Sequence, residues 1–152
     1  MGANGGTEYA EAVIDAAIEL GGWSTFCIHT IDGGYHVITS AQADAIFAHA
    51  DSYGDRLWIA GYGEALMYFS ELGSAKSTVT YDGTKITVTV TDNEDNTVYN
   101  VPLTVKVKVP GVWNSVNVNG KVIRVMTDND GSQFIYVDIV PDSGSVEITP
   151  FD

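Results

Sequence analysis

The residues best suited to chemistry gather around "GGWSTFCIHTIDGGYH", residues 21–36 of a 152-residue chain that holds 3 histidines. His29, Asp32 and His36 are spaced His-x-x-Asp-x-x-x-His across a glycine-containing loop. Two imidazoles and a carboxylate can hold zinc or another divalent ion and leave one position for water. A histidine at the end of an apolar run also suits proton transfer near neutral pH, which makes His29 a candidate general acid or base. Asp32 and Glu64 each follow an apolar run, and two carboxylates are what glycoside hydrolysis requires. Each residue has a structural reading beside the chemical one. His29 can be bonded to backbone, Gly33-Gly34 can leave the loop floppy, and Glu64 can simply complement the dipole of a helix it opens.

Trp23, Tyr35, Trp58, Tyr62 and Tyr68 supply flat rings of the kind that stack on sugar faces. Core packing is the better account of Trp58 inside "LWIAG". Trp23, and Tyr35 and Tyr62 in expected loops, are the candidates for ligand contact. His49 reads as an ordinary helix-surface residue.

These residues must be positioned by elements that follow two different periods. In residues 1–75, "TEYAEAVIDAAIELGG" puts Tyr9, Ala12, Val13, Ala16, Ala17 and Leu20 on one helical face, with Thr7 as N-cap and Gly21 as terminator. "WSTFCIHT" follows as a buried strand, with Trp23, Thr25, Cys27 and His29 on one face and Ser24, Phe26, Ile28 and Thr30 on the other. Thr39 or Ser40 caps a second helix that turns Ala43, Ile46, Phe47 and Ala50 inward. "RLWIAGYG" reads as another buried strand and "EALMYFSELG" as a helix stopped at Gly73. Helix, strand, helix, strand, helix implies parallel strands covered by helices. Two such strands cannot close a barrel, so their raw edges call for a partner, and a twofold homodimer is the simplest one.

Residues 76–152 alternate with period two and are broken by turn signals at Tyr81–Thr84, Asp92–Asn96, Asn119-Gly120, Asp128–Gly131 and Asp142–Gly144. Seven or eight short strands at this spacing argue for an antiparallel β-sandwich. "TDNEDNT" and "TDNDGSQ" invite a calcium reading, but neither has a twelve-residue loop closed by a glutamate, and both read as solvated turns.

Composition narrows the partners. Seven Lys+Arg against 20 Asp+Glu give a formal charge of −13, a surface that repels nucleic acid and anionic membranes. Neutral carbohydrate, cations or a basic protein suit it better. The single cysteine, Cys27, excludes an internal disulfide and a cysteine-rich zinc site, and its place in a strand suggests a buried, inert thiol. No segment reaches the ~20 apolar residues of a membrane span. The start "MGANGG" has no signal-peptide pattern, so any secretion signal of a parent protein is expected outside this chain.

Taken in order, "ELGGWSTFCIHTID", "ITSAQADAIFAHA", "LWIAGYGEALMYFSE", "VYNVPLTVKVKVPGVWNSVNVNG" and "YVDIVPDSGSVEITP" resemble the C-terminal part of bacterial polysaccharide deacetylases. The resemblance implies a partial (β/α) barrel segment over residues 1–75 and a β-sandwich over 76–152, an α+β chain overall. It implies that His29, at the position of the family's Leu-x-His motif, is the general acid on the leaving sugar oxygen. The leucine is replaced by Cys27, and the family's Asp-Asp and His-x-x-x-His metal motifs are absent. The expected function is therefore that of a polysaccharide-directed hydrolase or a fragment of one, from a secreted or surface protein. The alternative is a noncatalytic carbohydrate-binding or assembly module.

Overall fold

The computed structural model describes residues 6–151. The expectation about "MGANGG" falls largely outside them. The chain divides into two compact units, one ending at Tyr62 and the other beginning at Gly63.

In the first unit, α1 (Thr7–Leu20) and α2 (Ser40–Asp51) pack through a small core of Ala10, Ile14, Ile46 and Ala50, joined by Phe26, Tyr53 and Leu57. Alanines at the contact let the two helices approach closely. That contact also sets the buried face of α1, which is rotated from the expected one. Ala10 and Ile14 are buried, while Tyr9 is 58% and Leu20 82% exposed. On α2, Ala43, Ile46 and Ala50 are buried as the spacing predicts, and Phe47 is exposed.

The helix ends follow local chemistry. Gly21 adopts the left-handed conformation at φ 62°, its N–H bonds Ile18 O, and Gly22 N–H bonds Ala17 O at 2.8 Å, which closes α1 in a Schellman motif. Gly6, not Thr7, is the N-cap of α1. Thr39 caps α2 in a full capping box: its hydroxyl accepts Gln42 N–H at 3.1 Å, and its own N–H donates to Gln42 Oε1 at 2.9 Å.

The expected parallel strands do not form. "WSTFCIHT" enters a ladder only at its end, where β1 (Thr30–Ile31) pairs in parallel with β2 (Val37–Ile38). "RLWIAGYG" begins in a 3-10 turn, Gly54–Arg56, and runs on unpaired by any ladder into the next helix. Apolar, β-branched composition makes a strand only when a neighbouring ladder satisfies its backbone, and of the two runs only the first reaches one, at Thr30. No closed barrel occurs among the described residues, and the two expected strands do not pair with each other. Alternation itself survives from Thr25 to Thr30, with the opposite face turned inward. Phe26, Ile28 and Thr30 are half-buried, while Trp23, Cys27 and His29 are exposed. Cys27 is thus a surface thiol, not a core residue.

The second unit opens with α3 (Tyr62–Ser74), which runs through Gly73. Eight strands follow: β3 (Lys76–Tyr81), β4 (Ile86–Thr91), β5 (Leu103–Lys108), β6 (Ser115–Val118), β7 (Lys121–Arg124), β8 (Met126–Thr127), β9 (Gln133–Ile139) and β10 (Ser145–Pro150). They form a five-stranded sheet ordered β3-β4-β10-β6-β7 and a three-stranded sheet ordered β5-β9-β8, antiparallel throughout. Inward residues of both sheets share one core, among them Ile86, Val88, Leu103, Val116, Ile135, Ile139 and Ile148. The arrangement is sandwich-like, as period-two alternation implies. Tyr68 and Ala75 pack against the same core, so α3 belongs with the sheets and the break falls near residue 62 rather than 75.

The turns are built by the residues expected to build them. Asn119 and Gly120, at φ 51° and 84°, make the tight β6–β7 hairpin. Asp142 and Gly144, also at positive φ, carry the chain from one sheet to the other. In the β3–β4 turn, Asp82 Oδ1 accepts the N–H groups of Thr84 at 2.8 Å and Lys85 at 2.9 Å and the Thr84 hydroxyl at 2.7 Å. Those bonds, the Lys85 N–H first, hold the Asp82 carboxyl down to about 2. A depressed carboxylate stabilises the fold above its unfolded value of about 3.9 and loses that contribution as pH falls toward 2. Asp82→Ala should therefore lower the thermal midpoint at pH 7. The gap to the unsubstituted protein should close between about pH 4 and pH 2. A gap that stays constant across that window would show that the bonds do not depend on the charge.

Candidate functional site

The loop between β1 and β2 is held more firmly than its two glycines suggest. Asp32 N–H bonds Ile38 O at 2.9 Å, and Asp32 Oδ1 accepts Ser40 N–H at 2.7 Å, tying the loop to the first turn of α2. Gly34 sits at φ 99°, a conformation that favours glycine, and a Cβ there would lie 3.1 Å from the Thr30 side chain, which would have to shift. Asp32 and His36 adopt φ 61° and 50°, a region in which side chains other than glycine are strained.

This backbone gathers three rings on the surface. The His29 and His36 rings lie 5.7 Å apart, His29 and Tyr35 meet edge-on at 6.2 Å, and Tyr35 and His36 at 4.0 Å. All three residues are exposed. The structure thus brings together the rings of His29, Tyr35 and His36, while Asp32 Oδ1 is bonded to the α2 backbone. Among the described residues no three His, Cys, Asp or Glu side chains are grouped as metal ligands.

A second aromatic surface joins Trp23 to Tyr62. Their rings stack 14° from parallel with centroids 6.3 Å apart, and the residues are 52% and 59% exposed. Tyr62 is the last residue of the first unit and the first of α3. Glu64 is exposed in the first turn of α3, where it complements the helix dipole, while Asp32 belongs to the first unit.

Two features escaped the sequence reading. The first is a hydrogen-bonded cluster between α1 and α2: Asp15 Oδ1 accepts from Tyr53 OH at 2.5 Å and pairs with His49 Nε2 at 2.6 Å. The Tyr53 bond, followed by the His49 bond, lowers the Asp15 carboxyl below its usual range, and the bond to Asp15 raises the Tyr53 phenol. His49 is therefore a helix-pairing residue. The second is Glu71 on α3, which is 0% exposed among the core-facing positions Tyr68 and Ala75. Spacing places 68, 71 and 75 on one helical face, which was the signal available for it. An open groove lined by Leu66, Met67, Phe69, Val98 and Tyr99 lies on another face of α3.

Compared with known proteins, the chain is 34% identical over 140 residues to a gellan lyase of a Bacillus species. The match covers 85% of this chain and 6% of that protein, so the chain spans a small fraction of the relative's length. No family model matches the chain, and no solved structure matches it. The relative is named for a lyase, and nothing in the comparisons points to a deacetylase. Among the described residues, no helix is long and apolar enough to cross a membrane.

Proposed function

We propose that this chain is a polysaccharide-binding module of a carbohydrate-active protein and that Trp23 and Tyr62 form its principal sugar contact. The observation that carries the reading is their stacked, half-exposed pair, which offers a flat apolar surface to a pyranose ring. Tyr35, 75% exposed on the constrained loop, extends the aromatic surface of the same unit. A further line supports a carbohydrate role: the chain is similar to part of a protein named for action on gellan, a polysaccharide. A net charge of −13 fits a neutral glycan, or a charged one bridged by cations, better than direct contact with an acidic chain. A polysaccharide partner also favours a secreted or cell-surface setting.

The hydrolase reading rests on a separate observation, the His29 and His36 imidazoles held 5.7 Å apart on a strained loop. One experiment separates the two. Affinity electrophoresis of the full chain through gels containing gellan or neutral polysaccharides should show retardation in at least one. Trp23→Ala or Tyr62→Ala should weaken that binding about tenfold or more, the scale of losing one well-packed aromatic anchor. Mobility unaffected by every polymer would overturn the binding module. Release of acetate, or of new reducing ends without the unsaturated sugar that a lyase leaves, falling about 10²-fold in His29→Ala would assign the hydrolase reading instead.

A further inference from the structure

Glu71 is the one charged residue among the fully buried side chains described, and its partners satisfy only half of it. Oε2 accepts the Val101 N–H at 3.1 Å, whereas Oε1 is buried with no partner. A second carboxylate shows the same pattern. Asp92 Oδ1 accepts the Glu94 N–H at 2.8 Å, and Oδ2 is buried without a partner. The two are neighbours through the backbone that carries them. Ser74, the last residue of α3 and almost one turn beyond Glu71, accepts the Asn93 N–H on its hydroxyl at 3.3 Å. The Asp92–Asn93 turn therefore lies against the end of α3.

An unpartnered carboxylate oxygen in a protein interior is costly unless something positive meets it. No ion pair reaches Glu71 or Asp92 among the described residues, and Lys76, opposite Thr91 in the β3–β4 ladder, pairs with neither. Burial, with Asp92 and Glu94 close by, raises the Glu71 carboxyl, so the fold concentrates negative charge here without neutralising it. We propose that Glu71 Oε1 and Asp92 Oδ2 are ligands of a divalent cation of the calcium type, bound between the end of α3 and the β4–β5 connection.

The chemistry favours calcium over zinc or copper. The two orphan atoms are hard carboxylate oxygens, and calcium completes an irregular shell with backbone carbonyls, hydroxyls and water. Among the described residues no third carboxylate, histidine or cysteine is grouped with the two orphan oxygens as a ligand, Glu94 acting only as a nearby charge, so the low ligand charge places the dissociation constant at about 10⁻⁴–10⁻³ M, the range of extracellular modules. The turn is the "TDNEDNT" segment, which lacks a continuous calcium loop. The ligand missing from it would come from Glu71, on a helix about 20 residues before Asp92.

The test is thermal unfolding of the full chain, stripped with a chelator and then titrated with calcium chloride to about ten millimolar at pH 7. Saturation at ten or more times the dissociation constant should raise the midpoint of the second unit by about 5 °C or more. Magnesium chloride should do less, because it dehydrates reluctantly and demands a regular octahedron. Glu71→Gln keeps the acceptor for Val101 N–H and removes the charge, so it should fold and lose at least tenfold in calcium affinity. Calorimetric titration of the unsubstituted protein gives a second readout should that variant fail to fold. A proton on Glu71 is the competing occupant. No heat and no midpoint shift at ten millimolar calcium would overturn the cation site in favour of that proton, as would a shift left intact in both Glu71→Gln and Asp92→Asn.

Discussion

Ile148→Ala is expected to destabilise the second unit by about 2–5 kcal/mol and to lie near the top of that range. Ile148 is 0% exposed on β10, the central strand of the five-stranded sheet. Its ladder partners are Ile86 on β4 and Val118 on β6, themselves 3% and 6% exposed, so the site is walled on both sides by buried side chains. Strands bonded along both edges cannot slide inward to fill the void, and a cavity that cannot collapse costs the most. Denaturant unfolding should show a lower midpoint with an unchanged slope, because the surface exposed on unfolding is nearly the same. Glu147→Ala, one residue away, is the control. Its side chain points outward and pairs with Lys85 in the open, so its removal should barely move the midpoint. Equal losses at the two positions would mean that β10 is not the centre of the core.

The second unit was legible from sequence because every signal in it agreed. Alternation such as Ile86, Val88 and Val90 against Thr87 and Thr89 admits one register, since a slip by one residue would bury the threonines. The turn residues at Asn119-Gly120 and Asp82–Lys85 confirm where the strands reverse. The first unit misled for a physical reason. "WSTFCIHT" and "LWIAG" have strand composition, yet composition reports burial and stiffness, not whether a neighbouring strand exists to bond the backbone. The ladder partner is a long-range fact, and here it amounts to the two-residue pairing of β1 with β2. The same limit explains Cys27: alternation from Thr25 to Thr30 is real, but which face turns inward depends on Phe26 meeting the α1–α2 core.

The site was legible in part. His29, Tyr35 and His36 do converge, because Gly34 lets the chain fold back tightly over Thr30. Asp32 also braces the loop, a role its spacing from the histidines did not announce, since an aspartate just before a helix has backbone N–H groups within reach. Glu71 was hidden for the opposite reason. A glutamate in a helix reads as solvent-facing, and only the partly buried positions Tyr68 and Ala75 on the same face reveal that it points inward. Its counterpart, Asp92, lies across a strand pair, a distance that periodicity does not measure.

Placement of α3 leads to the last expected result. A chain of residues 63–152 should unfold cooperatively, whereas one of residues 76–152 should be less stable by about 3 kcal/mol or more, although it keeps every strand of both sheets. Two losses drive the difference. Val101 is 6% exposed, and without Glu71 its buried N–H has no acceptor, a defect worth about 1–3 kcal/mol. Without Tyr68 and Ala75, the apolar surface they cover returns to water, at roughly 25 cal/mol per Å². The Ser74 hydroxyl that receives Asn93 N–H is also removed, which loosens the β4–β5 connection. Chemical denaturation of the two chains, followed by near-ultraviolet circular dichroism, decides the matter. The buried Trp113, in ring contact with Tyr81, provides a native signal within the sheets in both. Equal midpoints would show that α3 is an appendage. A lower midpoint confined to the shorter chain would make α3 part of the folding unit and Gly63, not Lys76, its natural start.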